Sequence, residues 1–146
     1  MRVKEYSDEI IVNLRQIQDI QEAQQVMYDS GIVKLNSNRL LSGLGSVASI
    51  LGLAFVASTP AGIVTGITGV LASITPNEKE VLKEMVYDGF WALSYEERWL
   101  RKNPEYDRIE IELPFIEYYE NGKNIRFITG KGVVKRVHTD NGWIVL

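Results

Sequence analysis

Between Leu40 and Asn77 the chain carries no charged side chain, while all 16 basic and 19 acidic residues lie outside that run. An uncharged stretch of this length has to be covered by lipid, by a sister subunit or by the rest of its own fold. It divides at Thr59-Pro60, because a residue before proline is pushed out of the helical region. The spacing predicts two helices, Leu40 to Ser58 and Pro60 to Thr75, about 28 Å and about 24 Å long at the helical rise. A bilayer core is about 30 Å thick, so the first could span and the second falls short.

Residue size is patterned as well as polarity. Gly62, Gly66, Gly69 and Ser73 recur at steps of four, three and four, and Ile63, Ile67, Val70 and Ile74 repeat beside them. Ser42, Gly45, Ser49 and Gly52 form a similar smooth stripe on the first helix. Such stripes let two helices approach closely, and Gly62-Ile63-Val64-Thr65-Gly66 is a GxxxG sequence. Each glycine costs a helix about 1 kcal/mol relative to alanine. Tight packing or a membrane is therefore expected to offset it, with self-association through these eight small residues.

The flanks read differently. Ile10, Leu14, Ile17, Ile20 and Met27 recur near helical spacing, which predicts a first helix from Asp8 to Asp29 capped by Ser7. Its other face is rich in Gln, which would be left unpaired by full burial. After the uncharged run, Thr75-Pro76-Asn77-Glu78 opens a helix by capping and by a proline in the first turn. Ser94-Tyr95-Glu96-Glu97 repeats the capping pattern, so a break and restart is expected there, with a stop at Asn103-Pro104.

From Arg108 the period becomes two. Ile109, Ile111 and Leu113 alternate with charged residues, and Pro114 is expected to mark an edge strand or a kink. Asn121-Gly122 is a strong hairpin turn, Gly130-Lys131-Gly132 permits another turn and Asp140-Asn141-Gly142 a third. The reading is a four-strand antiparallel meander. The fold class expected is therefore α+β, with a helical region over 1–104 and a small β module over 105–146 that together make one cooperative unit.

Functional chemistry is sparse. Without cysteine there is no disulfide, thiolate nucleophile or cysteine-bound metal. A net charge of −3 gives no basic stripe for nucleic acid. His138 stands alone on a strand, and no phosphate loop, nucleophile elbow or dinucleotide fingerprint is present. Glu110 and Glu112 share a solvent-facing side of their strand, beside Glu117 and Glu120, without the burial that tunes a catalytic carboxylate. No catalysis, cofactor, metal or small-molecule substrate is expected.

The aromatic residues carry more. Tyr87, Trp91 and Tyr95 share one helix face at steps of four, and Phe90 reads as core. Tyr95 and Trp99, the latter among charged residues, are candidates for partner contact, as are Tyr118 and Tyr119 beside the Asn121-Gly122 turn. In outline, a glycine-zipper hairpin between a polar helix and a β module resembles accessory proteins of phages and toxin systems. The likeness is one of architecture and assigns no residue.

The polar start, without a secretory apolar core, predicts cytoplasmic synthesis. The leading functional expectation is a non-enzymatic, self-associating protein whose hairpin contacts or enters a membrane, with the β module as a partner-binding head. The alternatives are a soluble homo-oligomeric structural subunit, for example of a viral particle, and a small inhibitor or regulator that binds a protein through its aromatic helix.

Overall fold

The computed structural model describes residues 1–32, 36–44, 47–52 and 60–146. The chain is α+β: strand β1 (Arg2–Val12), helix α1 (Leu14–Val26) extended by a π-helical turn (Met27–Gly31), α2 (Ser37–Leu44), α3 (Ala48–Leu51), α4 (Pro60–Ala72), α5 (Pro76–Lys102), then β2 (Arg108–Glu120), β3 (Lys123–Ile128), β4 (Val133–Thr139) and β5 (Gly142–Val145).

The first predicted helix begins late. Residues 8–12, expected to be helical, are the second half of β1, which pairs antiparallel with β2 along its whole length, Arg2 with Tyr119 through Val12 with Ile109. The alternation Tyr6, Asp8, Ile10, Val12 meets Phe115, Leu113, Ile111, Ile109 in register on one face. β-branched Ile10, Ile11 and Val12 suit that pleated surface. Asn13, not Ser7, caps α1: its side chain accepts from Gln16 N at 2.8 Å while the Gln16 side chain accepts from Asn13 N at 2.9 Å, a reciprocal capping box.

The sheet is antiparallel, and β1 joins the four C-terminal strands expected as a meander to make five. Its order is β1-β2-β4-β5, and β3 also pairs with β2. β3 and β4 lie end to end on the same edge of β2, so β2 is central and Pro114 is not on an edge strand. The Pro114 carbonyl accepts from Thr129 N at 3.0 Å, on the β3–β4 side. A residue's N and O point the same way in a strand, so the missing proline N–H falls where β3 gives way to β4 and leaves the β1 ladder intact. Gly132 makes the junction possible, since a Cβ there would stand 2.7 Å from the Glu112 carbonyl oxygen.

The shift in apolar phase near Pro114 marks a change of buried face, not a break. Ile109, Ile111, Leu113 and Phe115 are buried on one side, and Ile116 and Tyr118 on the other with their partners Phe127 and Ile125. The turns behave as expected: Asn121 and Gly122 have φ of 52° and 76°, and the pairing Glu120–Lys123 closes a two-residue hairpin.

α5 runs unbroken for 27 residues from its Thr75 cap and Pro76. The second capping signal does not operate, because the Ser94 hydroxyl bonds back to the Trp91 carbonyl within the helix. The inward stripe is Leu82, Val86, Gly89, Leu93, Glu96 and Leu100.

Gly89 sits where α5 meets the end of β3, and a Cβ there would overlap the Ile128 carbonyl. At the same point Gln24 of α1, fully buried, donates to the Val86 and Ile128 carbonyls at 2.9 and 3.0 Å and accepts from Ile128 N at 2.7 Å. One glutamine thus completes the outer edge of β3, and a buried amide from the Gln-rich helix has its partners.

The uncharged run divides more than predicted. Its first half holds α2 and α3, separated at Val47 and closed by Gly52, which takes the left-handed conformation (φ 71°) and donates to the Ala48 carbonyl. Thr59, the proposed turn, lies outside the described residues.

Candidate functional site

The small residues expected to zip the hairpin together differ in burial. Gly45 and the Ser42 side chain lie outside what is described. Ser49 and Gly52 are exposed, Gly62 is half-buried and Gly66 buried, and Gly69 and Ser73 are exposed. α4 turns its bulky side inward: Ile67, Val70 and Ile74 are buried, Ile63 half-buried, and the helix packs on β2, β3 and α2. Its own chain therefore does not cover it all round. Thr65, Gly69, Ala72 and Ser73 are exposed. Among the described residues no helix is long and apolar enough to cross a membrane.

A polar groove of about 480 Å³ opens between β1 and α3, bordered by Asp8, Gln16, Ser49 and Arg126. Arg126 is buried, and its Nε donates to the Leu51 carbonyl while Nη1 donates to Asp8 Oδ2 at 2.8 Å and to the Tyr6 hydroxyl at 3.1 Å. The guanidinium also lies 4.1 Å from the Phe115 ring centroid. Burial disfavours this cation, but its hydrogen bonds to Asp8 and Tyr6 hold its pKa above the ordinary value. The Tyr6 pKa is raised in turn, first by burial and against the pull of Arg126. With its hydrogen bonds made inside the chain, Arg126 serves to pin α3 to β3.

His138 is not a free surface residue. Its Nδ1 lies 2.7 Å from Asp107 Oδ1, and its ring stands edge-on to Trp143 at 5.1 Å. The Asp107 pKa is lowered, chiefly by this hydrogen bond. Arg136 lies over Trp143 at 4.2 Å while pairing with Glu110 through Nε and Nη2 at 3.0 and 3.1 Å. These groups tie β4, β5 and the start of β2 together. Among the described residues no cluster of His, Asp and Glu could hold a metal.

The aromatic candidates separate cleanly. Trp99 is half-buried against Tyr106, ring centroids 5.3 Å apart, and Tyr118 is buried; neither offers the free contact face expected of it. Tyr119 is exposed with Arg2 over its ring at 5.0 Å, and Tyr95 is exposed with Lys131 at 5.3 Å. Tyr87, Trp91 and Tyr95 are 37%, 53% and 61% exposed, in one row along α5. The predicted helical step of four thus holds over this length, and the row faces solvent.

Sequence spacing missed what joins this row. α1 runs beside α5, tied by Gln24 and by Gln21 Nε2 bonding the Phe90 carbonyl at 3.4 Å. Its π-helical end brings Tyr28 to Tyr87 (4.9 Å between centroids) and Lys83 Nζ to 4.8 Å from the Tyr28 ring. Trp91 stands edge-on to Tyr87 at 6.2 Å and to Phe90 at 5.6 Å. Rings set at steep angles leave a cavity of about 180 Å³ between Gln25, Tyr28, Asp29, Tyr87, Phe90 and Trp91. Residues some 60 positions apart make it, so the sequence could suggest the Tyr87–Trp91 half alone. No family model matches the chain, and no curated protein or solved structure matches it.

Proposed function

We propose that this chain is a non-enzymatic binding protein that engages a partner protein through the aromatic face of α5 and the adjoining end of α1. The observation that carries the reading is the row Tyr87, Trp91, Tyr95, more than a third exposed at each position. Tyrosine and tryptophan give large contact area at low entropic cost and dominate binding energy at interfaces. An exposed aromatic cluster beside a concave pocket is the kind of apolar surface that marks an interaction site.

The test is a photo-reactive amino acid at position 95, introduced in the native host. The expected result is one discrete heavier adduct, lost when Trp91→Ala is added and absent when the photo-reactive group is at exposed Asp140. No adduct at position 95 would refute the reading.

A second reading is self-association through the hairpin, at a lipid surface or in water. It draws support from the exposed small-residue edge Thr65, Gly69 and Ser73 of α4. It predicts that Gly69→Leu lowers the sedimentation mass, or abolishes co-sedimentation with liposomes. A monomeric mass with no liposome binding would remove it.

A further inference from the structure

The aromatic pocket has a definite chemistry. Four of its six walls are rings, and the charged wall is Asp29. Ring faces are electron-rich and attract a cation that approaches within about 6 Å of the centroid. The chain already uses that property here, since Lys83 lies over Tyr28. The surroundings reinforce it. Glu22 is one turn from Gln25 on α1, Glu84 and Asp88 flank Tyr87 on α5, and all three are exposed. Among the described residues, none of these three carboxylates nor Asp29 is in an ion pair. Among these described residues, one ammonium stands against four carboxylates.

The donor set narrows the cation. Asp29 and Gln25 line the wall, and the side chain of each carries a hydrogen-bond acceptor oxygen. A quaternary ammonium has no N–H to donate to either. A guanidinium is planar, stacks on indole and carries five N–H donors. The π-helical turn that holds Tyr28 and Asp29 is itself a form frequent at functional sites.

We propose that this pocket receives an arginine side chain of the partner protein, its guanidinium stacked on Trp91 and hydrogen-bonded to Asp29. The proposal rests on the binding reading above and names what the aromatic face recognises. The remaining row, Tyr95 with Lys131 over it, then lies along the path of the chain that presents the arginine.

The experiment is an NMR titration of the full chain with N-acetyl-arginine amide, following the Trp91 indole N–H assigned by Trp91→Phe. The comparators are the neutral citrulline analogue and tetramethylammonium. The expected result is a saturable shift at Trp91 with the arginine probe and none with citrulline. Tetramethylammonium should bind at least about threefold more weakly, and Asp29→Asn and Trp91→Ala should each weaken the arginine probe at least about threefold. Both residues are exposed, so unchanged spectral dispersion elsewhere verifies the fold of each variant.

Absence of saturation, equal binding of citrulline, or equal binding of tetramethylammonium overturns the assignment. If the position-95 adduct forms while the arginine probe fails, the pocket assignment falls and the interface reading stands. If the probe binds at Trp91 while no adduct forms, the assignment to a partner protein falls with that reading.

Discussion

Glu96 occupies a position that a residue of its kind rarely takes. It lies on the inward stripe of α5, 6% exposed, and its Oε2 has no hydrogen-bond partner among the described residues. Burial raises its pKa, against weaker lowering by a backbone hydrogen bond and by Lys131. The folded state therefore favours the protonated acid relative to the unfolded chain. The stability this contributes is present below the unfolded pKa and is lost as pH rises through the folded one. Glu96→Gln removes the ionisation. Urea unfolding should find it close to the parent at pH 4 and more stable at pH 7.5, by on the order of 1 kcal/mol. A difference that stays constant with pH would contradict the assignment. Gly89 and Gln24 show the same local logic. Alanine would favour the helix at position 89 by about 1 kcal/mol, but its Cβ would overlap the Ile128 carbonyl. Spacing alone makes Gly89 look like a weakness, and the backbone it touches lies 39 residues away, at Ile128.

Among the elements, α5 and β2 depart most from local signals. Ser94-Tyr95-Glu96-Glu97 has the chemistry of a helix start, yet the helix passes through it. The stripe from Leu82 to Leu100 is buried on both sides of Ser94, and burial of several apolar side chains outweighs the roughly 1 kcal/mol of one cap. A continuous helix makes Ser94→Pro costly by about 3 kcal/mol, through a lost hydrogen bond and a clash with the Phe90 carbonyl. Thermal unfolding measures this directly, and a Tm within a degree of the parent would mean that the helix does break there. β2 shows the converse. Its alternation from Ile109 to Leu113 announces a strand, and Pro114 argues for an edge. The strand is central because its partner edge is divided between β3 and β4 at the proline itself. A proline's local preference is visible in a sequence, whereas the gap that accommodates it belongs to another segment.

At the scale of the whole molecule, β1 binds the two ends of the chain into one sheet. It covers the full edge of β2 and sends Ile10 and Val12 into the core beside Ile109 and Ile111. The fragment 105–146 would lack that strand and the Gln24 amide that finishes β3. Deletion of residues 1–12 should abolish cooperative unfolding, and the isolated fragment 105–146 should give the narrow amide dispersion of an unfolded chain. A folded fragment would make the β region an independent module. The aromatic pocket belongs to the same scale, since it exists where α1 and α5 lie side by side.

By itself the sequence determined the features that depend on neighbours within a few residues. These are the Thr75-Pro76 start of α5, the Asn121-Gly122 hairpin, the alternation of β2, the shared helix face of Tyr87, Trp91 and Tyr95 and the bulky stripe of α4. The Asn13-Gln16 capping box was legible in the same way, and helical spacing through Ile10 obscured it. The tertiary structure alone decided that residues 2–12 are a strand, that Pro114 is internal, that Gly89 and Gln24 seal β3, and that Tyr28 and Asp29 complete a pocket with Trp91. The physical reason is common to all four. Each depends on a backbone edge or ring supplied from a distant part of the chain, and periodicity carries no record of which segments will meet. The uncharged run follows the same division. Its size pattern placed the bulky residues of α4 on one face, and only the packed molecule showed that the sheet and α2 receive that face.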